Sequence, residues 1–253
     1  TFNPAAIYED GKVHILYRAQ AHDGLSTFGY AVSHDGLHID ENLDVPVYVP
    51  RIDNEKRVNP TGNAGCEDPR LTKIGDRYYV VYTAYNGVSS PRVAFSSIAV
   101  ADFLSRKWDK WAMPKIISLS GLDDKDACVV AGKKKDTYLW FHRLGDSIWL
   151  EVSDHIELSE HDALSGTVLM YPRSDKWDNV KLGIAGPPFE TDEGWILLYH
   201  GVSSPGGFYK VGAALLDLYK PTKVLARTEY PIFEPEMKYE LEGVLGKERG
   251  CPQ

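Results

Sequence analysis

Three features of the sequence predict an all-β fold of the propeller type. One hairpin pattern recurs four times, a further β-like run follows each copy, and no convincing amphipathic helix separates them. The copies occupy residues 5–18 (AAIYEDGKVHILYR), 70–83 (RLTKIGDRYYVVYT), 128–143 (CVVAGKKKDTYLWFHR) and 188–201 (PFETDEGWILLYHG). Each runs from an apolar strand through a polar turn into an aromatic-rich strand, and successive copies end about 60 residues apart. Such a unit buries its faces only by stacking on its neighbours, so the repeat reads as blades rather than as a sandwich.

The elements follow in order. Asp10-Gly11, Gly75-Asp76 and Glu193-Gly194 supply hairpin turns, because glycine accepts positive φ without a steric cost. The third copy turns at Gly132 and residues 133–136, where Lys133-Lys134-Lys135 is a solvated charge run. Outer strands are expected at 29–33, 93–100, 148–153 and 211–218, and short helical stretches at 100–108 and 154–163. Trp108-Asp109 and Trp177-Asp178 lack the Gly-His partner of WD40 blades. The chain opens on the first copy and stops soon after the fourth. The expectation is one domain over 1–253, either clipped at both ends or closing its last blade from both termini.

Composition sets the limits on function. The chain has 253 residues with 43% hydrophobic and 25% charged residues, which excludes disorder and coiled coil. A net charge of −8 argues against a nucleic-acid partner, so any anion must sit in a local basic pocket. No apolar run approaches the roughly 18–20 residues of a membrane span, and the opening residues do not read as a signal peptide. Cys66, Cys128 and Cys251 stand far apart with no CxxC, which predicts free thiols in a reducing, cytoplasmic setting. The histidines show no metal-ligand spacing, and neither a P-loop nor Gly-x-Ser-x-Gly is present, so no metal and no cofactor are expected.

In a propeller the inner strand ends converge on one axial mouth. Phe2-Asn3-Pro4, Glu67-Asp68-Pro69-Arg70, Asp124-Lys125-Asp126 and Lys181-Leu182-Gly183 precede the four hairpins. The paired strands end near Arg18, Thr83 with Tyr85, Arg143 and His200. The set holds few carboxylates (Glu67, Asp68, Asp126) and many cations (Arg18, Arg70, Lys125, Arg143, Lys181). A glycosidase needs two carboxylates, whereas a phosphorylase needs one acid, because phosphate is the nucleophile and cations hold it. The cation-rich set fits the second chemistry. Tyr85 and Trp195 are candidates for stacking on a sugar, and Cys66 reads as a buried thiol.

Gly65-Cys66-Glu67-Asp68-Pro69-Arg70, Phe2-Asn3-Pro4-Ala5, Lys125-Asp126-Ala127, His142-Arg143, Ile184-Ala185-Gly186-Pro187-Pro188 and Gly194-Trp195-Ile196-Leu197-Leu198-Tyr199-His200-Gly201 resemble glycoside hydrolase family 130. The resemblance runs from residue 2 to about residue 243. It implies a five-bladed β-propeller with a central axial active-site pocket. It also implies inverting phosphorolysis of β-1,2- or β-1,4-linked manno-oligosaccharides to α-mannose 1-phosphate. An inverting β-mannosidase using water is the alternative, and a non-catalytic glycan-binding propeller the second. Asp68 matches the general acid, whose proton is taken to pass through the mannose 3-hydroxyl. Lys125, Arg143 and Lys181 match the phosphate positions, with Tyr209 as a hydrogen-bonding partner, and Asn3, Arg18 and Asp126 match the sugar positions. Arg70, in the Asp68 turn, and His200, on a neighbouring strand end, are also placed at the sugar site. Phosphate enters as co-substrate, and homo-oligomerisation is left open.

Overall fold

A computed structural model describes residues 2–204 and 207–241. The reading of Cys251 lies outside those residues. The chain forms two compact units, Thr1–Val129 with Glu157–Leu164, and Val130–Ile156 with the residues from Ser165 onward.

In the first unit the strands are β1 (Phe2–Glu9), β2 (Lys12–Gln20), β3 (Leu25–Ser33), β4 (Glu41–Asn42), β5 (Ala64–Ile74), β6 (Arg77–Tyr85), β7 (Arg92–Ala99), β8 (Lys115–Ile116) and β9 (Asp124–Ala131), whose last residues open the second unit. Helix α1 (Val100–Leu104) follows β7 and is shorter than expected, since the chain turns away at Arg106 with φ 57°. One sheet runs β1-β2-β3-β5-β6-β7-β8, with β4 beside β3. Asp10 and Gly11 both take positive φ (49° and 73°), the type I′ pattern that suits strand twist. In β2, His14, Leu16 and Arg18 alternate inward, so the period that buries Leu16 also buries the Arg18 guanidinium. Phe28, Tyr30, Tyr48, Tyr78, Tyr82 and Phe103 fill the core in edge-on and stacked pairs.

The two meanders of this sheet meet in one short parallel pairing, Leu25 with Ala64 and Ser26 with Gly65. Gly65 has φ 120°, and a Cβ there would lie 2.1 Å from the Ser26 carbonyl oxygen. Gly65→Ala is therefore expected to cost about 2–4 kcal/mol from backbone strain plus overpacking. Urea unfolding against Gly75→Ala, at an open turn, measures the difference.

The second unit contains β10 (Tyr138–Leu144), β11 (Ser147–Ser153), β12 (Thr167–Met170), β13 (Lys181–Ile184), β14 (Phe189–Thr191), β15 (Gly194–Val202), β16 (Tyr209–Leu216), β17 (Val224–Arg227) and helix α2 (Lys238–Leu241). Its sheets run β12-β11-β10-β9 and β13-β15-β16-β17, with β14 beside β15. The expected helix at 154–163 is only a 3₁₀ turn, Glu160–Asp162. The fourth hairpin turns one residue early, at Asp192-Glu193, because Gly194 already belongs to β15. A Cβ on Gly194 would come within 2.2 Å of the Leu216 carbonyl oxygen, so strand approach rather than the turn demands glycine there. The architecture is nearly all β in repeated meanders, and among the described residues no sheet closes on itself.

Candidate active site

Three strands share one backbone irregularity. Asn3 in β1, Asp68 in β5 and Asp126 in β9 hold φ of 49°, 51° and 52°. Few non-glycine residues enter this left-handed region, and Asn and Asp do so most readily. The register shifts between Phe2 and Ala5 in β1, and between Glu67 and Arg70 in β5. Bulges of this kind re-aim a side chain, and strained positions of this kind gather where function needs them.

The three side chains are linked. Oδ1 of Asp68 accepts a bond from Asn3 Nδ2 at 2.8 Å and another from Arg18 Nη1 at 3.2 Å. Arg70 donates from Nη1 to the Asp68 backbone carbonyl at 3.2 Å, while its Nη2 lies 3.6 Å from Asp126 Oδ1. Arg18 is held on three further sides. Its Nη2 donates to Glu67 Oε1 at 2.7 Å, its Nε to Ser26 Oγ at 2.9 Å, and its guanidinium lies 4.8 Å from the Phe2 ring centroid. Burial raises the Glu67 carboxyl above its usual range against the pull of Arg18; Asp68 and Asp126 add to the rise and Lys125 opposes it. Asn3, Arg18, Asp68, Arg70 and Asp126 thus form one contact network, and the Lys125 charge reaches it.

In the second unit Lys181 opens β13 and Tyr209 opens β16, both paired to Val202 of β15. The Lys181 ammonium sits 5.0 Å from the centroid of the Tyr209 ring, and His200 tilts against that ring at 5.4 Å. Arg143 lies on β10, and its side chain is buried. Lys181, His200 and Tyr209 are therefore neighbours. The strand carrying Lys181 is tied to the β10–β11 turn by the Leu182 amide, which donates to the Asp146 carbonyl at 2.8 Å.

One reading changes. Trp195 is buried at 4% exposure and donates Nε1 to the Leu218 carbonyl, so it packs and does not offer a face to a sugar. The Trp177-Asp178 pair is an internal anchor. Trp177 stacks on Tyr199 at 5.6 Å, and Asp178 binds Arg173, Arg227 and the Tyr199 hydroxyl. Cys66 is buried, and burial pushes its thiol well up. Lys133, in the tip of the third hairpin, pairs with Glu190 at 2.6 Å.

Sequence reasoning missed Ser26, Glu67 and Phe2 as the holders of Arg18. Glu67 had a signal, since it adjoins Asp68 in the same turn. Ser26 had none, because only the β2–β3 register brings it to Arg18. No three His, Cys, Asp or Glu side chains stand where they could share an ion, among the described residues. No helix among them is long and apolar enough to cross a membrane.

Comparison with known proteins gives one consistent result. The model of glycoside hydrolase family 130, described as β-1,4-mannooligosaccharide phosphorylase, matches residues 1–246. A β-1,2-mannobiose phosphorylase of Thermoanaerobacter sp. (strain X514) is 36% identical over 259 residues, 96% of this chain and 78% of its own length. A 1,2-β-oligomannan phosphorylase of the same strain is 34% identical over 255 residues, again 96% and 78%. A solved structure aligns with TM-score 0.81 and 25% identity over 99% of this chain and 76% of that one. That structure was reported with glycoside hydrolases of the family that target β-1,2 mannosidic linkages in Candida mannan. With the family match spanning nearly the whole sequence and relatives above 30% identity, this chain belongs to glycoside hydrolase family 130.

Proposed function

We propose that this chain cleaves β-mannosides with inorganic phosphate, with inversion, releasing α-mannose 1-phosphate. The observation that carries the reading is the Asp68 carboxyl on its bulge, oriented by Asn3 and Arg18 within a network that also holds Glu67, Arg70 and Asp126 and is reached by the Lys125 charge. Asp68 supplies the proton to the leaving sugar, by way of the mannose 3-hydroxyl. Asn3, Arg18, Arg70, Asp126 and His200 hold the mannosyl unit. Lys125, Arg143, Lys181 and Tyr209 hold phosphate, a dianion that such donors bind through charge-assisted hydrogen bonds. Phosphate replaces the second carboxylate that a hydrolase would need to activate water. The reading carries with it a single five-bladed propeller with one axial pocket, located in the cytoplasm, with no cofactor and no nucleic-acid or membrane partner. Substrates are β-1,2- or β-1,4-linked manno-oligosaccharides, since the family model names the second linkage and both Thermoanaerobacter relatives the first.

Hydrolysis is the second reading, and the likeness to the structure reported with mannan hydrolases favours it. Incubation with β-1,2- and β-1,4-mannobiose, with and without phosphate, separates the two. Product that requires phosphate supports phosphorolysis; product without it moves the assignment to the hydrolase; no product on either sugar removes both.

Phosphate binding has its own expected result. A ligand of the folded state alone stabilises it, by about 1.4 kcal/mol at ten times Kd. Thermal melts in phosphate are expected to exceed those in chloride of equal ionic strength. Arg143→Ala should abolish that difference. An equal response in wild type and variant would place phosphate elsewhere.

A further inference from the structure

We infer that Glu67 is a positioning residue for the Asp68 acid, acting through the Arg18 guanidinium that the two carboxylates share. The inference rests on the reading of Asp68 as the acid. In a regular strand neighbouring residues point to opposite faces. The bulge at Asp68 breaks that alternation, and both carboxylates reach one cation. The shorter contact belongs to Glu67, at 2.7 Å against 3.2 Å to Asp68. Ser26 and Phe2 hold the same guanidinium from β3 and β1, so it has little freedom to turn from one carboxylate to the other.

An acid must carry its proton while the sugar is bound. An unshared Arg beside a carboxylate favours the ionised form, and a second negative charge beside it opposes ionisation. Above its raised titration range Glu67 is ionised, and it then does both things that help: it occupies Arg18, and it repels charge on Asp68. The other groups facing this pair are Arg70 of β5 and Lys125 and Asp126 of β9, while the Cys66 thiol, buried on the same strand, also senses Glu67. These remain when Glu67 changes, so the effect of Glu67 can be read separately.

The test is the pH profile of kcat/KM for phosphorolysis in wild type, Glu67→Gln and Glu67→Asp. Glu67→Gln removes the charge at nearly constant shape, and the alkaline limb is expected to move to lower pH by about one unit. Glu67→Asp keeps the charge on a shorter arm and should restore the limb most of the way towards wild type. A Glu67→Gln profile scaled down at every pH with its limb in place would mean a structural role only and overturn the inference. Carboxyl ¹³C titration of Glu67 in labelled wild-type protein and in Asp68→Asn covers the case in which the Glu67 variants do not fold. The Glu67 signal should then move to lower pH in Asp68→Asn, because the Asp68 charge helps to raise it. A Glu67 signal unmoved by Asp68→Asn would also overturn the inference. Absence of phosphorolysis in the wild type would instead count against the functional reading, which the titration does not depend on.

Discussion

Asp68→Asn is expected to lower phosphorolysis of a β-mannobiose by about 10²–10⁴-fold, the usual contribution of a general acid. The amide matches the carboxyl in shape, and its Oδ1 can still accept from Asn3 Nδ2 and Arg18 Nη1. The bulge at φ 51° also tolerates Asn as well as Asp. Folding should therefore stay close to wild type, and the loss should appear in kcat rather than KM, because binding contacts persist while proton donation does not. Steady-state kinetics with a thermal melt as control measure both. Near-full activity of Asp68→Asn on an ordinary mannoside would remove Asp68 as the acid.

Asp178→Asn is expected to produce the largest change in stability, about 3–5 kcal/mol, as when one partner of a buried ion pair is removed. Oδ1 of Asp178 accepts from Arg173 Nε at 3.0 Å, and Oδ2 accepts from Arg173 Nη2 and the Tyr199 hydroxyl, each at 2.9 Å, and from Arg227 Nη2 at 2.5 Å. The carboxylate is wholly buried between two guanidinium groups, and its neutralisation would leave both cations facing one another. Trp177 and Asp178 press against two glycines, where a Cβ on Gly201 would lie 2.5 Å from Asp178 Cβ and one on Gly212 2.6 Å from the Trp177 ring. The anchor thus fixes the segment that leads into β13 and Lys181. Burial raises the Asp178 carboxyl, but the hydrogen bonds from Arg173, the charge of Arg227 and the Tyr199 hydroxyl outweigh it, so the net shift is downward. A folded pKa below the unfolded one contributes stability that is full above about pH 4 and fades as pH falls through the folded value. Urea unfolding at pH 7 should show the full cost of Asp178→Asn. The gap from wild type should narrow as the buffer becomes more acid, and a gap independent of pH would contradict the ion-pair account.

The hairpins were legible in the sequence because strand alternation and turn chemistry are set by near neighbours. Asp10-Gly11 specifies its turn from two residues, and the alternation of β2 places Arg18 inward without reference to the rest of the chain. Asp68 and Asn3 each stand before a proline ahead of a hairpin, which made their positions visible, while their roles followed from the family resemblance. Tertiary structure alone decided what those side chains meet. Asn3 bonds a residue 65 positions away and Arg18 one 50 positions away, through a parallel join of β3 and β5 that Gly65 permits. Glu67 and Asp68 share one cation only because a bulge cancels the two-residue period that would have parted them. Trp195 looked available for a sugar until packing against β16 and the Leu218 carbonyl enclosed it. Local sequence sets where a strand bends and which face it buries, whereas the partner of each buried charge follows from long-range register, which no short segment encodes.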